Sequence, residues 1–94
     1  MFTVYALYSK KYNKIYIGYT SDIRKRLFAH NHLPKGWTSR FRPWAIVHVE
    51  EFETKVEAIK REKQLKTAKG RGFIWEIVRQ QRIEKDSYQP DNGD

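Results

Sequence analysis

The sequence predicts an α/β domain of the α+β kind: one three-stranded antiparallel sheet flanked by helices, in the order β-β-α-β-α-α. Three observations predict it. Apolar residues alternate with a period of two over two early segments, 2–8 and 15–19. A further apolar-rich run, 44–52, has the length of a strand. Three other segments carry apolar residues at helical spacing, with capping residues in front of two of them.

In the first strand, Phe2, Val4, Ala6 and Tyr8 fall on one face and Thr3, Tyr5 and Leu7 on the other. Lys10-Lys11-Tyr12-Asn13 makes the turn into the second strand, residues 15–19. A turn centred near Lys11 and Tyr12 sets Tyr5 opposite Tyr16 or Gly18, and either register puts Tyr5 and Tyr16 on one face. Thr20 or Ser21 is expected to cap a helix over 22–31 with Ile23 and Leu27 as its apolar stripe. Arg26 and His30 are neighbours on that helix, four residues apart. Residues 32–43 form a loop mixing basic, aromatic and turn residues, as substrate-binding loops do. Residues 44–52 read as a mostly buried strand that joins the free edge of 2–8 and leaves that strand central.

Thr54 and Glu57 form a capping box that opens a second helix, running to about Lys66. Gly70 and Gly72 are expected to break the helical pattern. Phe73, Ile74, Ile77 and Val78 then define a third helix ending near Arg82. The domain is expected to cover 1–83, and the polar, acidic stretch 84–94 to be a flexible tail.

The chain has 94 residues and a formal net charge of +8, so it has the size of one small domain with an anionic partner, most often nucleic acid. The charge is concentrated: Lys10, Lys11, Lys14, Arg24, Lys25, Arg26, Lys35, Arg40 and Arg42 face a single acid, Asp22, before Pro43. No apolar run is long enough to cross a bilayer, no secretory signal is visible, and there is no cysteine to form a disulfide or ligate a metal. A cytoplasmic protein without a membrane partner is the expectation.

One residue violates the apolar pattern. Ala58, Ile59 and Leu65 define the inward stripe of the second helix, and Glu62 sits among them. A carboxylate there costs free energy unless it is paired, hydrogen-bonded or bound to a metal. The bland alternative is an ion pair with Arg61 or Lys66; the functional one is a site.

Tyr5, Tyr16-Ile17-Gly18, Arg26, His30 and Glu62, in this order and spacing, resemble the GIY-YIG nucleases, a family of small α/β nuclease domains. Of the first motif's Gly-Ile-Tyr only Tyr5 is kept, in Thr3-Val4-Tyr5, whereas the second motif is complete. The resemblance spans about residues 2–82 and is strongest to the short stand-alone bacterial members, whose loop before the third strand is similar to Trp37-Thr38-Ser39-Arg40-Phe41-Arg42-Pro43-Trp44. Where some excision-repair members carry a lysine after the glycine, Tyr19 stands here.

The resemblance implies the same sheet arrangement and a phosphodiesterase with catalytic residues Tyr5, Tyr16, Arg26, His30 and Glu62. Glu62 would hold one divalent ion, Mg²⁺ or Mn²⁺. The residue types suit that chemistry: a carboxylate can anchor a hydrated cation, and a guanidinium can grip a phosphate with two bonds. A phenol, whose free pKa is roughly 10, or an imidazole can take a proton from water. Tyr5, Tyr16 and His30 stay open as the base.

The expected substrate is DNA, with RNA also admitted, recognised through phosphates and shape rather than sequence. A structure-selective endonuclease of repair or recombination follows. A chain this small leaves no room for a separate targeting domain, so a protein partner for targeting belongs to the expectation. Lys10, Lys11, Lys14, Arg24, Lys35, Arg40 and Arg42 are the candidate phosphate binders, and Trp37 the candidate stacking platform. The alternative is a nucleic-acid-binding module that keeps the fold with weak or no activity.

Overall fold

The computed structural model describes residues 1–34 and 36–87. The elements follow the predicted order: β1 (Phe2–Ser9), β2 (Lys14–Thr20), α1 (Ile23–His32), a 3₁₀ turn (Trp37–Arg40), β3 (Ala45–Phe52), α2 (Lys55–Leu65) and α3 (Ala68–Ser87). The sheet is antiparallel with order β2-β1-β3, so β1 is central. Asn13 takes the left-handed conformation the tight turn demands, with φ 55°. The resulting register pairs Tyr5 with Gly18 and Leu7 with Tyr16.

Alternation along β1 sends one set of side chains to each face, and both faces are covered. Val4, Ala6, Tyr8, Ile15 and Ile17 pack against Ala58 and Leu65 of α2 and Ile74 and Val78 of α3. Tyr5 and Leu7 pack on the opposite face with Trp44, beside Tyr16, Ile23, Leu27 and Phe41. Each fully buried Leu, Ile or Val contributes about 1.5–3 kcal/mol relative to exposure. The two small cores therefore hold α1 on one side of the sheet and α2 and α3 on the other.

Several expectations need correction. Asp22, not Thr20 or Ser21, caps α1, its carboxylate accepting from the Lys25 amide at 3.0 Å. Thr20 instead makes a local turn, its hydroxyl oxygen accepting from the Asp22 amide. The strand at 45–52 is not mostly buried: with only β1 beside it, Ile46 and Val49 stay exposed. Of the third helix's expected apolar stripe, Phe73 is exposed, while Ile74 and Val78 are buried.

The glycines at 70 and 72 do not interrupt structure either. Thr67 acts as the cap that starts α3 early, accepting from the Gly70 amide at 3.1 Å, so only Lys66 and Thr67 separate α2 from α3. Gly70 is needed because the end of α2 crosses it: a Cβ there would lie 2.2 Å from the Gln64 carbonyl oxygen and 2.4 Å from Leu65 Cα. Both are backbone atoms and cannot swing aside. Gly70→Ala is expected to destabilise the fold by about 2 kcal/mol or more, as overpacking does, despite the better helix propensity of Ala. Chemical denaturation of the variant checks this. Helix α3 continues to Ser87, past the expected end near Arg82 and into the stretch expected to be a tail. Lys35 and the rest of that tail, 88–94, lie outside the described residues.

Candidate active site

A cleft of about 390 Å³ lies over the outer edge of β2, lined by Phe2, Tyr5, Tyr16, Gly18, Tyr19, Thr20, Ser21, Arg26, Lys55 and Glu62. Its walls come from four elements. Being an edge strand, β2 lets side chains from α1 and α2, on opposite faces of the sheet, meet beside it. Arg26 reaches in from α1 and, among the described residues, has no ion-pair partner; Asp22, four residues away, spends its carboxylate on the helix cap. Glu62 reaches in from α2 and is mostly buried, its side chain 17% exposed. Lys66, one turn along the helix, contacts it at 3.2 Å from the exposed side.

Gly18 is what allows the two phenols to share this space. A Cβ at that position would lie 2.7 Å from the Tyr5 hydroxyl and 3.2 Å from the Tyr16 ring. Tyr5 is buried and cannot retreat, so Gly18→Ala is expected to push its hydroxyl off His30. That should cost about 1–3 kcal/mol of stability. Melting temperature and the NMR shift of the His30 ring would report it.

Behind the cleft runs a buried hydrogen-bonded chain. The Tyr5 hydroxyl meets His30 Nε2 at 2.9 Å, and His30 Nδ1 meets the Thr38 hydroxyl at 2.9 Å. Burial, then the neighbouring Tyr16 phenol, pushes the Tyr5 phenol well above its ordinary value; Arg26 opposes and Glu62 reinforces this. Tyr5 therefore keeps its proton and donates to Nε2, which fixes the tautomer: Nδ1–H donates to Thr38. Burial holds the His30 pKa below its usual 6.5, and the nearby Arg26 and Arg42 charges lower it further. His30 is thus a neutral acceptor.

The sign of the pH effect follows. A histidine whose folded pKa is depressed binds fewer protons folded than unfolded as the pH falls below about 6.5. Its contribution to stability is fully present above that value and is lost as pH falls toward the folded pKa. Glu50, held low by its bond to Arg61, acts only below the carboxylate value of 4.5. Melting temperature should therefore decline on acidification from pH 6.5 toward 5 in the wild type and decline less in His30→Gln.

The loop after α1 is fastened by side chains that satisfy backbone groups. The Asn31 amide oxygen accepts from the Trp44 amide at 2.7 Å, and its nitrogen donates to the Trp44 carbonyl at 3.1 Å. Trp44 Nε1 donates to the Thr38 carbonyl at 2.8 Å. Arg42 Nε donates to the His30 carbonyl at 2.7 Å, and its guanidinium also donates to Leu33, where α1 leaves its carbonyls unpaired.

Of the expected phosphate binders, Arg42 is thus spent on α1. Lys10 and Lys11 line a separate apolar hollow of about 710 Å³ beside Trp44 and Val78, which shares no residue with the cleft. Lys14 sits over the Phe41 ring at 5.3 Å. Arg24 and Arg40 are exposed on α1 and at the end of the 3₁₀ turn. Trp37 is half-exposed and packs at 4.6 Å from Phe41.

Sequence reasoning missed two residues. Lys55 lines the cleft and shares a helical face with Glu62, seven residues on; that spacing was the available signal. Thr38 holds the far side of His30, and no pattern in the sequence marks it.

The donor set fits a hard divalent cation. Glu62 supplies a carboxylate oxygen, and the cleft adds phenol and hydroxyl oxygens and no soft ligand, beside the cations Arg26 and Lys55. Among the described residues no group of three or more His, Asp or Glu comes together. A cation at Glu62 would accordingly keep most of its waters, as Mg²⁺ does.

Residues 1–74 match the GIY-YIG catalytic domain. A UPF0213 protein of Bacillus velezensis is 45% identical over 69 residues, covering 68% of this chain and 69% of its own. A UPF0213 protein of Staphylococcus saprophyticus is 43% identical over 58 residues, covering 61% of this chain and 71% of its own. The GIY-YIG domain implies a nuclease in general, hence nucleic-acid binding, and such nucleases generally use divalent metal ions. With most of its length matched and both phenols, Arg26 and Glu62 gathered at one cleft, the chain belongs to the GIY-YIG nuclease family, alongside its UPF0213 proteins.

Proposed function

We propose that this chain is a Mg²⁺- or Mn²⁺-dependent endonuclease that hydrolyses phosphodiester bonds in DNA, selecting by structure rather than sequence, in repair or recombination. The observation that carries the reading is convergence: Arg26, Glu62, Tyr5 and Tyr16 come from four elements and line one cleft. A divalent ion at Glu62 would supply charge neutralisation on the phosphate and a more acidic bound water.

The chain's own residues divide the remaining work. Arg26 holds the scissile phosphate and stabilises the charge that grows on its oxygens. Lys55 steadies a phosphate further along the strand, two helical turns from Glu62. Tyr16 is the phenol that reaches the attacking water. It is partly exposed and lines the cleft, whereas Tyr5 is 1% exposed with its hydroxyl given to His30. Tyr5, His30 and Thr38 form the buried support that fixes Tyr16, whose ring lies 4.7 Å from that of His30. Arg24, Lys25 and Arg40 extend the positive field around the cleft.

A specific observation favours the alternative, a binding module without activity. Lys66 already neutralises Glu62, and a retained ion pair would stand where the cation must sit. One experiment separates them. Purified protein with Mg²⁺, Mn²⁺ or EDTA is set against branched, nicked, single-stranded and duplex DNA, with Arg26→Ala alongside. Metal-dependent cleavage lost in Arg26→Ala supports the enzyme. Salt-sensitive binding without cleavage under any metal would leave the binding module.

A further inference from the structure

Adjoining the cleft is a second depression, about 340 Å³, whose lining includes Tyr16, Arg26, Leu33, Gly36, Trp37 and Thr38. It shares Tyr16 and Arg26 with the cleft, so a group bound in it is immediate neighbour to a phosphate held by Arg26. Trp37 and Leu33 are 46% and 50% exposed, an apolar wall left open to solvent. The Trp37 ring has Tyr16 at 6.4 Å with its plane 28° away, Phe41 at 4.6 Å and Trp44 at 5.9 Å. These contacts hold the indole in place while nearly half of the residue stays open to solvent. Gly36, with φ 95°, supplies the left-handed conformation that turns the chain into Trp37.

We propose that this depression is a nucleobase subsite: it takes one unpaired base, of the nucleotide next to the phosphate at Arg26, stacked on Trp37. The proposal rests on the phosphodiesterase reading and adds the substrate class, a strand in which that nucleotide is single-stranded, bulged or rotated out. A base inside a duplex is stacked on both faces and cannot lie on the indole while its phosphate meets Arg26. An unpaired base can, and every base has a face to stack.

The floor of the subsite also predicts what is not read. His30 uses Nε2 on Tyr5 and Nδ1 on Thr38, and the Thr38 carbonyl accepts from Trp44. Neither imidazole nitrogen is therefore free for a base edge, and stacking itself tolerates any base. Any base should fit about equally.

The test uses the full chain in EDTA with three oligonucleotides carrying one 2-aminopurine: single-stranded, as a one-base bulge in a duplex, and fully paired. Fluorescence quenching on binding is expected for the first two and not the third. Trp37→Leu keeps an apolar side chain against Phe41 and Trp44 and removes the stacking face. It should abolish the quenching and weaken binding of the bulged probe roughly five- to hundredfold, with paired-duplex binding unchanged. Trp37→Phe should retain most of the affinity. Exchanging natural bases at the bulge should alter affinity by less than about threefold, as sequence-tolerant stacking does. Equal losses for paired and bulged probes, or quenching that survives in Trp37→Leu, would overturn the subsite. If the wild type binds none of the probes in a salt-sensitive way, the phosphodiesterase reading itself falls. If it binds in a salt-sensitive way without regard to Trp37, only the subsite falls.

Discussion

Glu62→Gln is expected to abolish metal-dependent cleavage, by on the order of a thousandfold, while nucleic-acid binding and melting temperature change little. The amide keeps the shape of the side chain and removes the charge a divalent ion needs; loss of a cation that stabilises several kcal/mol of transition-state charge has an effect of that size. The stability half of the prediction comes from the surroundings of Glu62. Its ion-pair partner among the described residues is Lys66, which is 49% exposed and one turn away on the same helix. Freed of Glu62, Lys66 returns to water, so no buried cation is stranded. With its cation half in water, the pair is worth at most about 1 kcal/mol. Removing a desolvated anion offsets even that. A buried structural pair would behave oppositely, losing several kcal/mol on substitution. Cleavage, binding and thermal melting on the same variant check all three parts, and a destabilised variant that still cleaves would remove Glu62 from the metal.

Arg26→Ala is expected to lower cleavage by on the order of a thousandfold with the fold intact. The guanidinium is exposed at the cleft and, among the described residues, is not tied up in any ion pair. Its removal leaves no buried group unsatisfied, while the charge developing on the phosphate loses its nearest fixed cation. A second readout distinguishes this from a general weakening of binding. Arg26 is one of the charges that lower the His30 pKa, so in Arg26→Ala that pKa should rise toward 6.5. The acid-side loss of stability attributed to His30 should shrink accordingly. Single-turnover cleavage and an NMR titration of the His30 ring measure the two effects.

Much of this architecture was legible because the strongest sequence signals are local. Alternation in 2–8 and 15–19 set the hairpin and put Tyr5 and Tyr16 on one face, and the Thr54–Glu57 capping box formed as expected. Errors arose where tertiary contact overrode local rules. Gly70 looked like a break, yet its missing Cβ makes room for a helix end whose path no local pattern reveals. The 45–52 strand is apolar enough for a core, but its sheet position leaves it half in water. For the site, spacing alone could place Arg26 beside His30 on a helix. It could not show that Arg42 would be used up by α1, nor that Thr38 would complete the His30 chain. Those depend on how the loop folds back, where distances are fixed by single side-chain bonds rather than by any repeat.

The division of the cleft among four elements has a consequence for the order in which the chain emerges during synthesis. Everything cationic in the early half, from the hairpin through α1 and its loop, precedes β3; the acid that completes the cleft arrives only with α2. β1 also lacks its second neighbour until β3 is made, and one core waits for α2 and α3. If the proposed roles hold, a nascent or truncated chain ending before Glu62 would carry the phosphate-binding charge without the carboxylate that lines the cleft. On the proposed mechanism, cutting would be confined to completed copies.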